Sequence, residues 1–363
     1  MESHRSLASL RTHAVTQSLF PPTTLADAIS QLGFVQADPI RSPARAQDLI
    51  LRQRVHGYRA GDLERQYGSL NVEEDYLYAY GFLSKPVWQL LHPRKTPPLR
   101  AFEKKVLEIV STLGEAHPRA LESHLGKRRI VNAWGGYSKA TTSALEWLHW
   151  RGLLRIARRE NGIRVYHPLD SARGKPLDSA LRNDASPPPA DRLRALVMVY
   201  ARIFAPSPEK SLQSVIARHR ELGNTRQTLA ELIRDGELRR DSVDGVNYVS
   251  PGAESTIGEA PRLVRFLAPF DPVVWDRTRF EHLWGWPYRF EAYTPVKKRV
   301  RGYYAMPMLW GANFIGWSNA AVINEKLEVS VGFVNKRPRD RAFGRALDAE
   351  IDRLTDFLQT PRA

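Results

Sequence analysis

Two side chains in the stretch GFVQADPIRSPARAQD, residues 33–48, have types and spacing that suit chemistry: Gln36 and Asp38. Gly33 is placed to end a helix, and Pro39 pushes the residue before it towards extended backbone. In an extended segment residues i and i+2 project to the same side, about 6–7 Å apart. An amide and a carboxylate side by side suit a hydrolytic task. The carboxylate stabilises a developing cation or takes a proton from water, and the amide holds the water or the substrate. Val35 and Ala37 are then expected to face a core. The residue types also fit a second reading, in which Asp38 caps a helix starting near Ser42 and Gln36 lies at the surface.

Cations follow closely. Arg41, Arg45, Arg52 and Arg54 would sit by phosphates if DNA lay against this face. They also fit a solvated basic helix face partnered by Asp48. Two further clusters are similar in kind. Lys127, Arg128, Arg129, Lys139 and Thr141 surround a helix expected over 138–150, where they would position a duplex or, less simply, read bases. In TPVKKRVRG, residues 294–302, Lys297, Lys298, Arg299 and Arg301 are expected at a basic hairpin tip reaching into a groove, with a solvated turn as the alternative.

The whole chain shares this bias. Its 363 residues carry 54 Lys and Arg against 39 Asp and Glu, a net charge of +15. Such a surplus favours a polyanionic partner, with nucleic acid ahead of a membrane surface. There is no Cys, which excludes disulfides, thiol catalysis and thiolate metal sites. The ten His are scattered without metal-ligand spacing, so neither metal nor cofactor is expected. No apolar run of about 18 residues is present. The opening MESHRSLASLRTHAV lacks the apolar centre of a secretion signal, and the expected location is the cytoplasm, at the nucleoid.

The elements that must position these groups repeat. FEKKVLEIVSTL, residues 102–113, has helical periodicity, with Val106, Leu107, Val110 and Leu113 on one stripe. Pro118 starts a second helix ending near Leu125. Ser138 is a plausible N-cap for a third, with Thr142, Leu145, Trp147 and Leu148 facing in and Gly152 closing it. Two strand-like runs joined at Asn161-Gly162 follow, a strong hairpin signal. Helix, helix, longer helix and hairpin make the winged form of the helix-turn-helix. Leu145, Leu148, Gly152 and Leu154 recur 84 residues later as Leu229, Leu232, Gly236 and Leu238, with Asp244-Gly245 as the second hairpin turn. Helical runs at 192–203 and 209–221 precede that copy. The opening hundred residues are read as a third, more divergent copy, with helices near 23–32, 43–55 and 60–67. Pro187-Pro188-Pro189 and the small polar residues before it suggest a linker. Beyond about residue 258, alternating aromatic-rich runs such as YRFEAYT, RGYYAMPML, FIGWSNAAVI and KLEVSVGF are expected to be strands of a small barrel or curled sheet. A helix over 341–358 follows, with Phe343, Leu347, Ile351, Leu354 and Leu358 on one stripe.

The fold class is therefore α+β: tandem winged-helix modules with a small C-terminal β-barrel. The boundaries are 1–100, 101–170, a linker at 171–190, 191–257 and 258–363.

Three blocks, LGFVQADPIRSPARAQDLILRQR, FLAPFDPVVWDRTRF and YRFEAYTPVKKRVRGYYAMPML, occur in an order that resembles the AlkZ/YcaQ-like tandem winged-helix DNA glycosylases. The likeness runs from about residue 5 to 345. The family's catalytic motif is Gln-x-Gln in one branch and Gln-x-Asp in the other, and Gln36-Ala37-Asp38 is similar to the second. The resemblance implies three winged-helix modules on a C-terminal barrel around a DNA channel, with Asp38 as the carboxylate and Gln36 as its amide partner. It also implies double-stranded DNA containing alkylated guanine or interstrand crosslinks as the substrate. N7-alkylguanine is cationic and already an activated leaving group, so a carboxylate near the anomeric carbon suffices. No lysine is required, and a monofunctional hydrolase acting as a monomer is expected. Some relatives carry a Trp and a His where EEDYLYAYGFLSKP offers Tyr76 and Tyr78, which bears on substrate range. The competing reading is a non-enzymatic winged-helix regulator whose aromatic C-terminal domain binds a small ligand.

Overall fold

The structure is a computed structural model that describes residues 6–131, 135–160, 162–169, 187–252 and 258–359. It divides into two compact units, one of Met1–Leu63 with Pro189–Ala363 and the other of Glu64–Pro188.

The larger unit begins with helix α1, Leu7–Ser18, whose N-cap Ser6 hydroxyl accepts from the Ser9 N–H. Helix α2, Leu25–Leu32, is capped by Thr24 and ends at Gly33, whose φ of 69° needs a residue without a Cβ. Strand β1 is Phe34–Gln36, and α3 is Ala46–Leu51. A short α4, Asp62–Gln66, follows.

In the smaller unit, β2 (Val72–Tyr76) and β3 (Tyr80–Ser84) form an antiparallel hairpin, and α5 spans Lys85–Leu91. Then come α6 (Ala101–Leu113), α7 (Pro118–Leu125), a two-stranded ribbon of β4 (Arg129–Val131) and β5 (Tyr137–Lys139), and α8 (Ala140–Trp150). The unit closes with a hairpin of β6 (Leu154–Glu160) and β7 (Ile163–Pro168). Val106, Leu107, Val110, Leu145 and Leu148 supply the apolar core, whereas Leu113 is 43% exposed. The helix cap is also displaced from expectation. Ser138 belongs to β5, and α8 starts at Ala140 without a side-chain cap.

This unit buries charge as well. Glu73, Glu74 and Asp75 on β2 are all inside. Glu73 pairs with Arg155, Glu74 with Arg159 and the Tyr80 hydroxyl, and Asp75 with His92 at 2.9 Å and Arg94 at 3.0 Å. Burial raises both carboxyls, but Arg159 holds Glu74, and the His92 hydrogen bond with the Arg94 charge holds Asp75, below the usual range, because a desolvated charge is tolerated only when paired.

The chain returns to the larger unit with α9 (Pro189–Ile203), β8 (Ser207–Pro208), α10 (Glu209–Ile216) and α11 (Thr225–Arg234), then β9 (Leu238–Val243) and β10 (Val246–Pro251). β10 lies between β8 and β9. Asp244 and Gly245 both have positive φ, as a two-residue hairpin turn demands. Gly152 and Gly236, 84 residues apart, have φ of 76° and 78° after α8 and α11. Of the expected linker, residues 171–186 lie outside the described residues, as does Asn161; its last part, from Pro189, opens α9 because proline is tolerated in a helix's first turn.

The C-terminal part holds β11 (Val264–Phe266), α12 (Pro272–Trp275), α13 (Arg277–Trp284), β12 (Met306–Trp310), β13 (Asn313–Ile323), β14 (Lys326–Phe333) and α14 (Arg341–Leu358). β11–β14 form one antiparallel sheet in chain order. It is an open four-stranded sheet where a barrel was expected. Residues 287–305 supply no strand: they form a loop with one 3-10 turn at Val296–Lys298. The loop folds on the buried Glu291, whose carboxylate accepts from the Val300, Arg301 and Gly302 N–H groups. A carboxylate that takes up successive N–H groups satisfies them in place of a ladder partner. The unit's apolar core joins Val15 of α1 and Leu19 just after it to Val273, Val274, Phe280, Leu309 and Phe314.

Candidate active site

The geometry around Gln36 and Asp38 follows from the segment that carries them. Gly33 turns the chain out of α2, and β1 runs into the interior with Phe34, Val35 and Gln36 all buried. The strand is covered on both faces, so Gln36 is inside rather than on the surface. Its Oε1 has no hydrogen-bond partner among the described residues. An acceptor left so in the interior is costly unless something else meets it. Asp38 is half-buried. Its Oδ1 accepts from the Ile40 N–H at 2.9 Å, and its own N–H donates to Gln47 Oε1 at 3.4 Å. Asp38 therefore caps a local turn rather than a helix, since α3 begins at Ala46 after an N-cap, Arg45, that makes no side-chain cap. Burial raises the Asp38 carboxyl above the usual aspartate range, and the Ile40 N–H opposes this only partly.

One partner of this site has no sequence signal. Tyr304 comes from the loop before β12 and is 2% exposed. Burial first, and then the negative charge of Asp38, push its phenol well above the ordinary tyrosine range. The phenol thus stays protonated within electrostatic reach of the carboxylate. Phe290 packs edge-on against the Tyr304 ring at 5.3 Å, and Phe270 against Phe290 at 5.0 Å. The site is therefore a carboxylate, an amide oxygen and a phenol against an aromatic wall.

The arginines after Asp38 divide sharply. Arg41 is exposed and Arg45 half-buried. Arg52 and Arg54 are not on the surface. Arg54 is fully buried and bidentate on Asp271, at 2.8 and 3.0 Å, and it also donates to the Ser18 and Ile50 carbonyls. Arg52 pairs with the buried Glu350 of α14, which also accepts from Gln53 Nε2 at 3.1 Å and the Phe266 N–H at 2.8 Å. Two of the four expected phosphate ligands are thus internal ties. They lock α3, which follows the Gln36–Asp38 segment, to the C-terminal part of the same unit. Asp48 is also internal, accepting from the Tyr58 hydroxyl and the Gly61 N–H.

The other clusters are corrected in the same way. Thr141 is 2% exposed and cannot reach DNA, because it lies on the same i, i+4, i+7 stripe of α8 as the buried Leu145 and Leu148. Lys127 and Arg128 are exposed, and Lys139 is exposed while paired with Glu122 at 2.6 Å. Of the cations in the 294–302 loop, Lys297 and Lys298 are exposed, whereas Arg299 and Arg301 are half-buried. Arg299 donates from Nε to the Thr294 carbonyl at 2.8 Å and lies over the Tyr303 ring. Arg301 sits between the Trp286 and Trp317 rings, 5.4 and 5.8 Å from their centroids, with Glu291 at 3.6 Å. Both hold the loop's shape rather than a groove. Exposed Tyr293, Val296 and Val300 flank the two lysines.

Among the described residues no group of three or more metal-ligating side chains converges, and no helix is long and apolar enough to cross a membrane.

Comparison with known proteins places this geometry. The chain is similar in fold to the Streptomyces sahachiroi DNA glycosylase AlkZ, with a TM-score of 0.61, 14% identity, and coverage of 99% of this chain and 98% of that one. The family model described as DNA glycosylase AlkZ-like matches residues 29–357, from α2 through α14 and across both units. The chain belongs to the AlkZ-like family of DNA glycosylases.

Proposed function

We propose that this glycosylase hydrolyses the N-glycosidic bond of N7-alkylated guanine in duplex DNA, with Asp38 as the catalytic carboxylate and Gln36 as its amide partner. The observation that carries this reading is the half-buried Asp38 carboxylate, its proton affinity raised by burial, two residues from a buried amide oxygen with no partner among the described residues. A carboxylate whose proton affinity burial has raised is a stronger base than a free aspartate and is suited to accept a proton from water. An N7-alkylated guanine carries the positive charge itself, so the C1′–N9 bond breaks with its electron pair passing to the base. Charge then builds on the sugar, where the carboxylate stabilises it. Water forms the new C1′–O bond and gives its proton to Asp38. No amine enters, so the enzyme is monofunctional and leaves an abasic site.

The modules of three helices and a hairpin at 101–170 and 191–257 act as winged helices that hold the duplex by its backbone, with the opening hundred residues as the divergent third. Arg41, Arg45, Lys127, Arg128, Lys139, Lys297 and Lys298, all at least partly exposed, supply the phosphate contacts. Phosphate contacts carry no sequence information, as an enzyme searching for damage requires. Interstrand crosslinks through guanine N7 present the same leaving group and fall within the same chemistry.

The test is an oligonucleotide duplex carrying 7-methylguanine, and a second crosslinked by a nitrogen mustard. Expected are alkali-labile abasic sites from the first, unhooked strands from the second, and no adduct trapped by borohydride. Failure to release any alkylated base, together with sequence-specific binding of undamaged DNA, would favour a regulator instead.

A further inference from the structure

We infer that Tyr304 is a positioning residue for the reaction at Asp38, its hydroxyl donating to the water or carboxylate oxygen that Asp38 brings to the sugar. The inference rests on the assignment of Asp38 above and deepens it.

The tyrosines of the same loop fix the contrast. Tyr288 donates to the Ala305 carbonyl at 2.7 Å, so its hydroxyl has a structural task. Tyr303 is 43% exposed and lies beside Arg299. Tyr304 faces inward, and its hydroxyl has no hydrogen-bond partner among the described residues. A tyrosine this deep would usually give its hydroxyl a partner, and phenylalanine would fill the same space without the desolvation cost. The orphan hydroxyl therefore points to a partner outside the protein. The Asp38 carboxylate lies within electrostatic range of that hydroxyl. Gln36 Oε1, at the end of β1 and two residues before Asp38, is a second orphan, an acceptor. A neutral donor, an amide acceptor and a carboxylate together match the needs of one attacking water. It accepts from the phenol, donates one proton to the amide oxygen and loses the other to Asp38 as C1′–O forms and C1′–N9 breaks. Phe290 and Phe270 keep the phenol from turning away.

The test is Tyr304→Phe in the full chain, run beside wild type and Asp38→Asn on a 7-methylguanine duplex under single-turnover conditions. Expected for Tyr304→Phe is a rate lower by about ten- to a hundredfold, the worth of one hydrogen bond to a charged group. DNA affinity should hold, and so should thermal stability, because no bond within the protein is lost. The acid limb of the rate profile should also move to higher pH, since removing a donor raises the affinity of the carboxylate for protons. An unchanged rate for Tyr304→Phe beside an inactive Asp38→Asn overturns the role of Tyr304 alone. A rate loss matched by a fall in melting temperature, with the pH limb unmoved, reduces Tyr304 to packing. Wild-type rates from Asp38→Asn remove both assignments.

Discussion

Replacing Arg54 by Met separates two roles that its position in the chain confuses. A phosphate-binding arginine adds to affinity for DNA, and its loss lowers the salt slope of binding by about 0.9. Arg54 instead has a side chain with no exposure, bidentate on Asp271, which is equally buried. Arg54→Met leaves that carboxylate charged and unpaired in the interior, together with the Ser18 and Ile50 carbonyls that Arg54 serves. Breaking a buried pair on one side costs about 3–5 kcal/mol. For a unit of this size each kcal/mol lowers the melting temperature by about 2–4 °C, so the expected fall is about 6–20 °C. Asp271→Leu should cost a similar amount, and the double variant less than either single one, because removing both charges leaves nothing unpaired. The assay is calorimetric melting of the four proteins, with fluorescence-anisotropy titrations of duplex DNA from low to high salt. Binding by Arg54→Met, measured below its melting point, should keep the wild-type slope. A wild-type melting temperature with a slope reduced by about one would refute the internal assignment.

Lys297→Ala with Lys298→Ala should do the reverse: an unchanged melting temperature and a salt slope reduced by about 2, read from the same titrations. His149 in the smaller unit is buried, and desolvation outweighs the attraction of Asp75 and lowers its pKa to about 4. Its depressed folded value means that the unfolded chain takes up the proton first. Stability should therefore fall as pH drops from 6.5 towards about 4, by about 3 kcal/mol in all. Melting curves of His149→Phe across that window should be flatter than those of wild type, and an equal slope would contradict the assignment. Asp38 behaves oppositely. Its raised folded pKa means that its charge opposes folding at neutral pH and is relieved as pH falls through that value. Asp38→Asn, which still accepts from Ile40, should melt at or above the wild-type temperature, and a marked fall would show that the charge is structural.

How much of this was legible in the sequence depended on the range of the interaction. Local signals read well. Lys326–Phe333 and Arg341–Leu358 form where alternation and helical periodicity place them. Gly152, Gly236 and the Asp244-Gly245 turn adopt the positive φ that their types suggest. The extended run that follows Gly33 was visible for the same reason, since it needs only a glycine and a proline. Arg52 and Arg54 were misread because a charge looks solvated until its partner is known, and Glu350 and Asp271 lie 298 and 217 residues away. Thr141 was misread although it shares the i, i+4, i+7 stripe of Leu145 and Leu148, because its hydroxyl drew attention ahead of its helical position. The 294–302 loop defeated pattern reading because Glu291, which has no special spacing, takes up the N–H groups that a hairpin would pair. Tyr304 was invisible because nothing in RGYYAMPML says which tyrosine turns inward.

The central claim is that Asp38 performs the chemistry and does not merely shape the loop. It is tested most directly by the single-turnover rate of 7-methylguanine release by Asp38→Asn, with its affinity for the same duplex measured alongside. The account predicts wild-type affinity and a rate lower by at least about a hundredfold. Release at the wild-type rate, or affinity lost in step with the rate, would contradict it.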